Sequence, residues 1–96
     1  MSDYQALQTR RFARQYKKLH DNVAADVDQA VEDVTANPQA GELKKGDLAA
    51  LRVLKFKSQV QLYLLGYTVE EAVRLVYLEA VGPHENFYRD LKRSLS

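Results

Sequence analysis

This chain has no cysteine and only two histidines, His20 and His84. The first absence excludes disulfides and thiolate metal sites, and two imidazoles are too few for a zinc site unless carboxylates help. No metal and no cofactor is therefore expected. No apolar run reaches the roughly 18 residues of a membrane-spanning helix. The opening segment, Met1 to Arg11, carries charge where a signal sequence needs hydrocarbon. The expectation is a cytoplasmic protein with no membrane partner. Net charge is also scarce, at +1, and so small a value argues neither for nor against nucleic acid.

What is present is the composition of an ordinary globular protein, 46% hydrophobic and 28% charged over 96 residues. That length supports one core and leaves no room for a second, so residues 1–96 are expected to form a single domain. The charges are sorted along the chain. Arg10, Arg11, Arg14, Lys17 and Lys18 follow one another with no acid among them, and Lys44, Lys45, Arg52, Lys55 and Lys57 follow with only Asp47 between. Asp21, Asp26, Asp28, Glu32 and Asp33 separate the two runs. One basic and one acidic side are expected, the basic side able to meet phosphates. The plainer alternative is that the first run and the acids are solvated helix faces.

Tyr4 to Thr9 reads as a short strand, with Thr9 capping a helix that begins at Arg10, carries Phe12, Tyr16 and Leu19 on one stripe, and closes at a structural His20. Asp21-Asn22 signals the cap of a second helix, whose Val23, Val27, Ala30, Val31 and Val34 recur at helical spacing until Pro38 forces an end near Asn37. Gly41 to Leu51 has the glycines and polar residues of a loop. From Arg52 to Lys57 the pattern alternates, with Arg52, Leu54 and Phe56 facing one way and Val53, Lys55 and Lys57 the other. A turn at Ser58-Gln59, a strand from Val60 to Val69, a turn at Glu70-Glu71 and a strand from Ala72 to Val81 complete an antiparallel meander. Gly82-Pro83 stops it. His84 to Arg93 reads as an amphipathic helix in which Phe87, Leu91 and Leu95 pack down, Arg89 and Arg93 face solvent, and His84, Tyr88 and Lys92 lie at the edge of the buried stripe. The fold class is α+β: a short N-terminal strand, an α-helical hairpin, a three-stranded antiparallel meander and a C-terminal helix.

The junction before that last helix carries the chemical signal. It sets His84 in a first helical turn with Tyr88 beside it, on a chain that also has a basic strand bearing Arg52, Lys55 and Lys57. Cleaving RNA through its own 2′-hydroxyl needs a base for that proton, an acid for the departing 5′-oxygen, and cations for the charge gathering on phosphorus. Histidine titrates nearest neutrality of all side chains, which makes His84 the candidate acid or base. The positive end of a helix dipole favours the neutral ring that proton abstraction needs. Lys55 and Lys57 are candidates to hold phosphate charge; Arg52 joins them only if a bulge or the sheet's twist intervenes. Tyr88 is a candidate to stack on a base or orient the phosphate. Each has a plainer alternative: His84 as a first-turn residue bonded to backbone, Tyr88 as packing, Lys55 and Lys57 as solvating groups that keep a strand edge from aggregating.

The N-terminal strand followed by RRFARQYKKL, the linker LKKGDLAALRVLKFK and the ending VYLEAVGPHENFYRDLKR together resemble the RelE/ParE superfamily of bacterial type II toxins across nearly the whole chain. The most specific pieces are the linker into a basic strand and the Gly-x-His-x-x-x-Tyr ending. The resemblance implies one of two activities: RelE-like members cut messenger RNA in the ribosomal A site, and ParE-like members block DNA gyrase without being nucleases. It also implies a cognate antitoxin as partner, with operator DNA bound only through the toxin-antitoxin complex. On the nuclease reading the ribosome and its mRNA are further partners. Arg10, Arg11, Arg14, Lys17, Lys18, Lys44 and Lys45 would then form a ribosome- or RNA-contacting surface, the first run alternatively facing the antitoxin. RelE-type nucleases tend to carry an arginine near the start of the central meander strand, where this chain has Gln61. His84 takes the place of RelE's arginine after the last strand, as in the histidine-using branches of the superfamily. The reading is thus a toxin acting as a ribosome-dependent mRNA endoribonuclease, with a gyrase inhibitor, or an inactive RNA- or protein-binding relative, as the alternatives.

Overall fold

Thr9 is where extended chain becomes helix. Its backbone is extended, and its hydroxyl accepts from the Phe12 N–H at 3.2 Å while donating to the Leu78 carbonyl at 2.8 Å. One residue therefore caps a helix and ties it to the far end of the sequence. The computed structural model describes residues 4–48 and 50–95, without the side chains of residues 47, 94 and 95; the expected packing of Leu95 lies outside the described residues. The order is β1 (Gln5–Gln8), α1 (Arg10–Lys17), α2 (Asp21–Ala36), β2 (Glu42–Leu43), β3 (Arg52–Ser58), β4 (Gln61–Glu70), β5 (Leu75–Pro83) and α3 (His84–Leu95). The α+β architecture read from the sequence is present, enlarged by pairings that no local pattern announces. The sheet has five strands in the order β1-β5-β4-β3-β2, with β1 parallel to β5 and the other pairs antiparallel.

Four local expectations shift. The segment from Gly41 to Leu51 is not wholly loop: Glu42 and Leu43 pair with Val53 and Arg52, and a short 3-10 turn spans Gly46–Leu48. The β3–β4 turn is Gln59-Val60 rather than Ser58-Gln59, because Ser58 still pairs with Gln61 in the ladder. Both turn residues are left-handed, at φ 52° and 60°, a hairpin geometry usually supplied by Asn-Gly. The last strand begins at Leu75, since Glu71–Val73 coil into a 3-10 turn that Arg74 ends in the left-handed region. His20 does not close α1, which stops at Lys17; it stands at the N-cap of α2, its carbonyl accepting from the Ala24 N–H at 2.9 Å.

Alternation along the strands divides the hydrocarbon between the two sides of the sheet. Beneath α1 and α2, Phe12, Val23, Val27, Ala30 and Val34 pack on Tyr63, Leu65, Tyr67, Val76, Leu78 and Val81. On the other side Phe87 and Leu91 of α3 pack on Val53, Leu64 and Ala80, with Leu48 and Leu51 closing the end. Burying each Val, Leu or Phe side chain among these contributes about 1.5–3 kcal/mol. Gly66 seats α3: a Cβ there would stand 2.8 Å from the Phe87 ring, so the absence of a side chain lets that ring lie against the strand. A register shift at Gly66/Tyr67 leaves Glu79 unpaired in the ladder. The bulge keeps Leu78 facing α1 and α2 and Ala80 facing α3.

Candidate functional site on the α3 face

β3 supplies the cations. Lys55 and Lys57 alternate with Leu54 and Phe56, which pack toward α1 and α2, so the lysines share the α3 side with Val53 and are exposed. Across the sheet Lys55 pairs with Leu64 and Leu64 with Gly82, while Lys57 pairs with Leu62. Tyr63 pairs with Pro83, so the Lys57–Leu62 row continues toward His84. The backbones of Lys57 and His84 are thus two strand spacings apart, about 10 Å. Half-buried Leu62 stands between them, and on the neighbouring Lys55–Leu64 row the position that a Cβ of Gly82 would occupy has nothing within 4 Å, which keeps the floor low beside His84.

Pro83, which has no N–H to give the ladder, ends β5, and His84 begins α3 at once. Glu85 in the first helical turn complements the dipole. His84 is exposed, whereas Tyr88, one turn on, is half-buried against the α3 core with its ring edge-on to Phe87 at 5.2 Å between centroids. The Lys44 ammonium lies 5.5 Å from the Tyr88 ring centroid and pairs with Glu42. Its pKa is raised, first by the bond to the Glu42 carboxylate and then by the Tyr88 hydroxyl. Glu42 is held below the ordinary carboxylate value, first by Lys44 and more weakly by Lys55.

The α3 side therefore brings together His84, Tyr88, Lys44, Lys55 and Lys57. It does not include Arg52. That side chain lies on the helix-hairpin side, where its Nη1 donates to the Gly41 carbonyl at 2.9 Å, and β3 has no bulge that would turn it round. Beside it the buried Tyr67 hydroxyl donates to the Pro38 carbonyl and accepts from the Gly41 N–H, each at 2.8 Å. Arg10, Arg14, Lys17 and Lys18 are exposed and Arg11 half-buried on α1, which lies along β5; Gln15 accepts the Val81 N–H at 2.9 Å. Lys45 is exposed next to Lys44. The residue that sequence reasoning passed over is Glu42, the carboxylate on this face. Its signal is the spacing of Glu42 and Lys44 two apart, which puts them on one side only where the segment is extended, as β2 is.

Among the described residues no group of three or more His, Asp or Glu gathers to hold a metal, and no helix is long and apolar enough to cross a membrane. The arrangement offers a titratable ring, a phenol and three ammonium groups around a shallow floor, a set suited to an anionic ligand.

Over residues 6–92 the chain matches the family described as the ParE-like toxin of type II bacterial toxin-antitoxin systems. No curated protein sequence matches it. Among solved structures it is similar to a chain of the RelBE2 toxin-antitoxin complex of Mycobacterium tuberculosis, with TM-score 0.75 and 22% identity over 84% of this chain and 98% of that one. A free-state mutant of the Escherichia coli toxin RelE gives TM-score 0.75 and 20% identity over 97% and 93%. A chain of the archaeal RelE-RelB complex of Pyrococcus horikoshii gives 0.57 and 11% over 83% and 93%. The chain belongs to the ParE-like toxins of the RelE/ParE superfamily.

Proposed function

We propose that this toxin is a ribosome-dependent mRNA endoribonuclease held inactive by a cognate antitoxin in the cytoplasm, with operator DNA bound only by the complex of the two. The observation that carries the reading is the gathering of His84, Tyr88 and the ammonium groups of Lys44, Lys55 and Lys57 on the α3 face. A phosphodiester laid over Gly82 meets lysines from β3 on one side and the His84 ring on the other. The RNA 2′-oxygen then bonds to phosphorus as the bond to the 5′-oxygen breaks. His84 transfers a proton at one end of that displacement, taking it from the 2′-hydroxyl or giving it to the 5′-oxygen, water does so at the other end, and Lys55 and Lys57 face the charge that develops on the phosphoryl oxygens. Tyr88, steadied by Lys44 and Phe87, offers a ring on which a base can stack.

A second reading, gyrase inhibition without catalysis, is favoured by Gln61 at the start of β4, where RelE-type nucleases tend to carry arginine. Expression of the full chain in growing cells separates the two. Translation arrest with message cut at ribosomes supports the nuclease, and gyrase-linked DNA breaks with intact message support the inhibitor. His84→Ala is expected to abolish cleavage while changing stability by no more than about 0.5 kcal/mol, since the ring is exposed. Undiminished cleavage by that variant removes His84 from the mechanism.

A further inference from the structure

The β3–β4 hairpin ends in a residue that is costly twice over. Val60 stands at φ 60°, a left-handed conformation that asparagine or glycine adopts readily and a β-branched side chain adopts only under strain. It is also 102% exposed, so its isopropyl group gains no packing within the chain to offset that strain. A strained, unpacked apolar residue at a tip is a sign of function rather than of folding.

The tip's position says which function. Ser58 pairs with Gln61 and Lys57 with Leu62, the row that runs toward His84, so Gln59 and Val60 carry the hairpin about 7 Å beyond that row. Gln59 is tied back by the Asn22 side-chain amide, which donates to its Oε1 at 3.4 Å, and this leaves Val60 projecting alone. From Arg52 to Val69 the two strands carry no acid, and their exposed polar groups toward the tip are Lys55, Lys57, Gln59 and Gln61; the nearby carboxylate, Asp26 of α2, accepts from the Ser58 hydroxyl at 2.7 Å on the helix-hairpin side. Cations and an amide around an apolar point suit a nucleotide, with phosphate on the lysines, base edge on the amide and base face on the valine.

The geometry points to Val60 as an apolar wedge that packs on an unstacked base of the RNA strand whose phosphates lie over Lys57 and Lys55. Apolar side chains placed against base steps serve this purpose in other nucleic-acid complexes. The inference rests on the nuclease reading and adds to it a grip on RNA outside the reacting groups. Strain at the tip persists because asparagine there would fold better and hold RNA less well.

The test uses the full chain with Val60→Asn and Val60→Ile, thermal melting, cleavage of message on programmed ribosomes, and direct binding of a labelled single-stranded RNA. Val60→Asn is expected to melt about 5 °C higher. It should also raise KM for message and the RNA dissociation constant about tenfold with kcat unchanged. Val60→Ile should match the parent in all three. Melting no higher for Val60→Asn overturns the strain argument. Higher melting with unaltered RNA binding overturns the wedge, as does a loss confined to a protein target such as gyrase. If the parent chain binds RNA but cleaves no message, the nuclease reading alone has failed, and the binding comparison still decides the wedge.

Discussion

Arg52 and Lys55 stand three residues apart on β3 and point to opposite sides of one sheet. Toward α1 and α2, polar groups close on one another: Arg52 on the Gly41 carbonyl, Tyr67 on Pro38 and Gly41, and Ser58 donating to Asp26 at 2.7 Å. Toward α3, Lys55, Lys57 and His84 are exposed, and none of them makes a side-chain hydrogen bond or ion pair among the described residues. A buried polar group without a partner costs about 1–3 kcal/mol, so the first side is built to fold and tolerates no vacancy. An exposed ammonium has no such requirement. It can stay uncommitted until an anion arrives, which lets one strand serve stability with alternate residues and binding with the rest.

The strongest attempt to break this contrast is made in the hydrocarbon. Leu65, fully buried under the helices, is expected to cost about 3–5 kcal/mol as Leu65→Ala. Phe87→Ala should lie at the low end of that range, because Phe87 belongs to α3, the one helix on that side, which can settle toward Gly66. Denaturant midpoints of the two variants decide. A larger loss for Phe87→Ala would mean that α3 is as much keystone as the hairpin, and the division of labour between the sides would need redrawing.

Next in size is Tyr67→Phe, which strands the Gly41 N–H and the Pro38 carbonyl and is expected to cost about 1–3 kcal/mol. Burial raises the Tyr67 pKa, partly countered by its bond to Gly41 and by Arg52. With the folded value above the unfolded one, this contribution is complete below the phenol's ordinary pKa of about 10 and is lost as pH rises from there toward the folded value. Stability of the parent chain should therefore fall across that alkaline window more steeply than stability of Tyr67→Phe. Parallel curves would show that the phenol's burial carries no titratable share.

Local physics made much of this legible in advance. The Thr9 cap, the end of α2 before Pro38, and the opposed directions of Arg52 and the two lysines depend on neighbours within a few residues, and the sequence states them. The parallel pairing of β1 with β5, the bulge at Glu79 and the strand at Glu42–Leu43 depend on partners far along the chain, and no window of sequence contains them. The hairpin tip falls one residue beyond the expected Ser58-Gln59 for another reason: Gln59-Val60 adopts a turn that its side chains disfavour, so propensity does not mark it. At the α3 face the ring, the phenol and the β3 cations announced themselves by type. Lys44 meets Tyr88, and Glu42 meets Lys44, through the short strand β2, whose pairing with β3 no local pattern of glycines and polar residues shows.

The smallest effect on folding, and the sharpest test of the contrast, comes from setting Lys57→Ala beside Arg52→Met. Lys57 is exposed, so its loss should move the unfolding midpoint by no more than about 0.5 kcal/mol. On the proposed nuclease reading Lys57 meets RNA phosphate, and for its loss the slope of log affinity for single-stranded RNA against log salt should shrink by about 0.7. Arg52→Met should do the reverse, costing about 1.5–3 kcal/mol by removing the charged donor to the Gly41 carbonyl while leaving the salt slope in place. The slopes separate the faces even if both variants bind RNA less tightly, because a loosened fold lowers affinity at every salt concentration alike. An unchanged slope for Lys57→Ala would detach that lysine from the RNA path. A reduced slope for Arg52→Met would mean that the guanidinium leaves Gly41 to meet phosphate, and that the helix-hairpin side of β3 binds as well as folds.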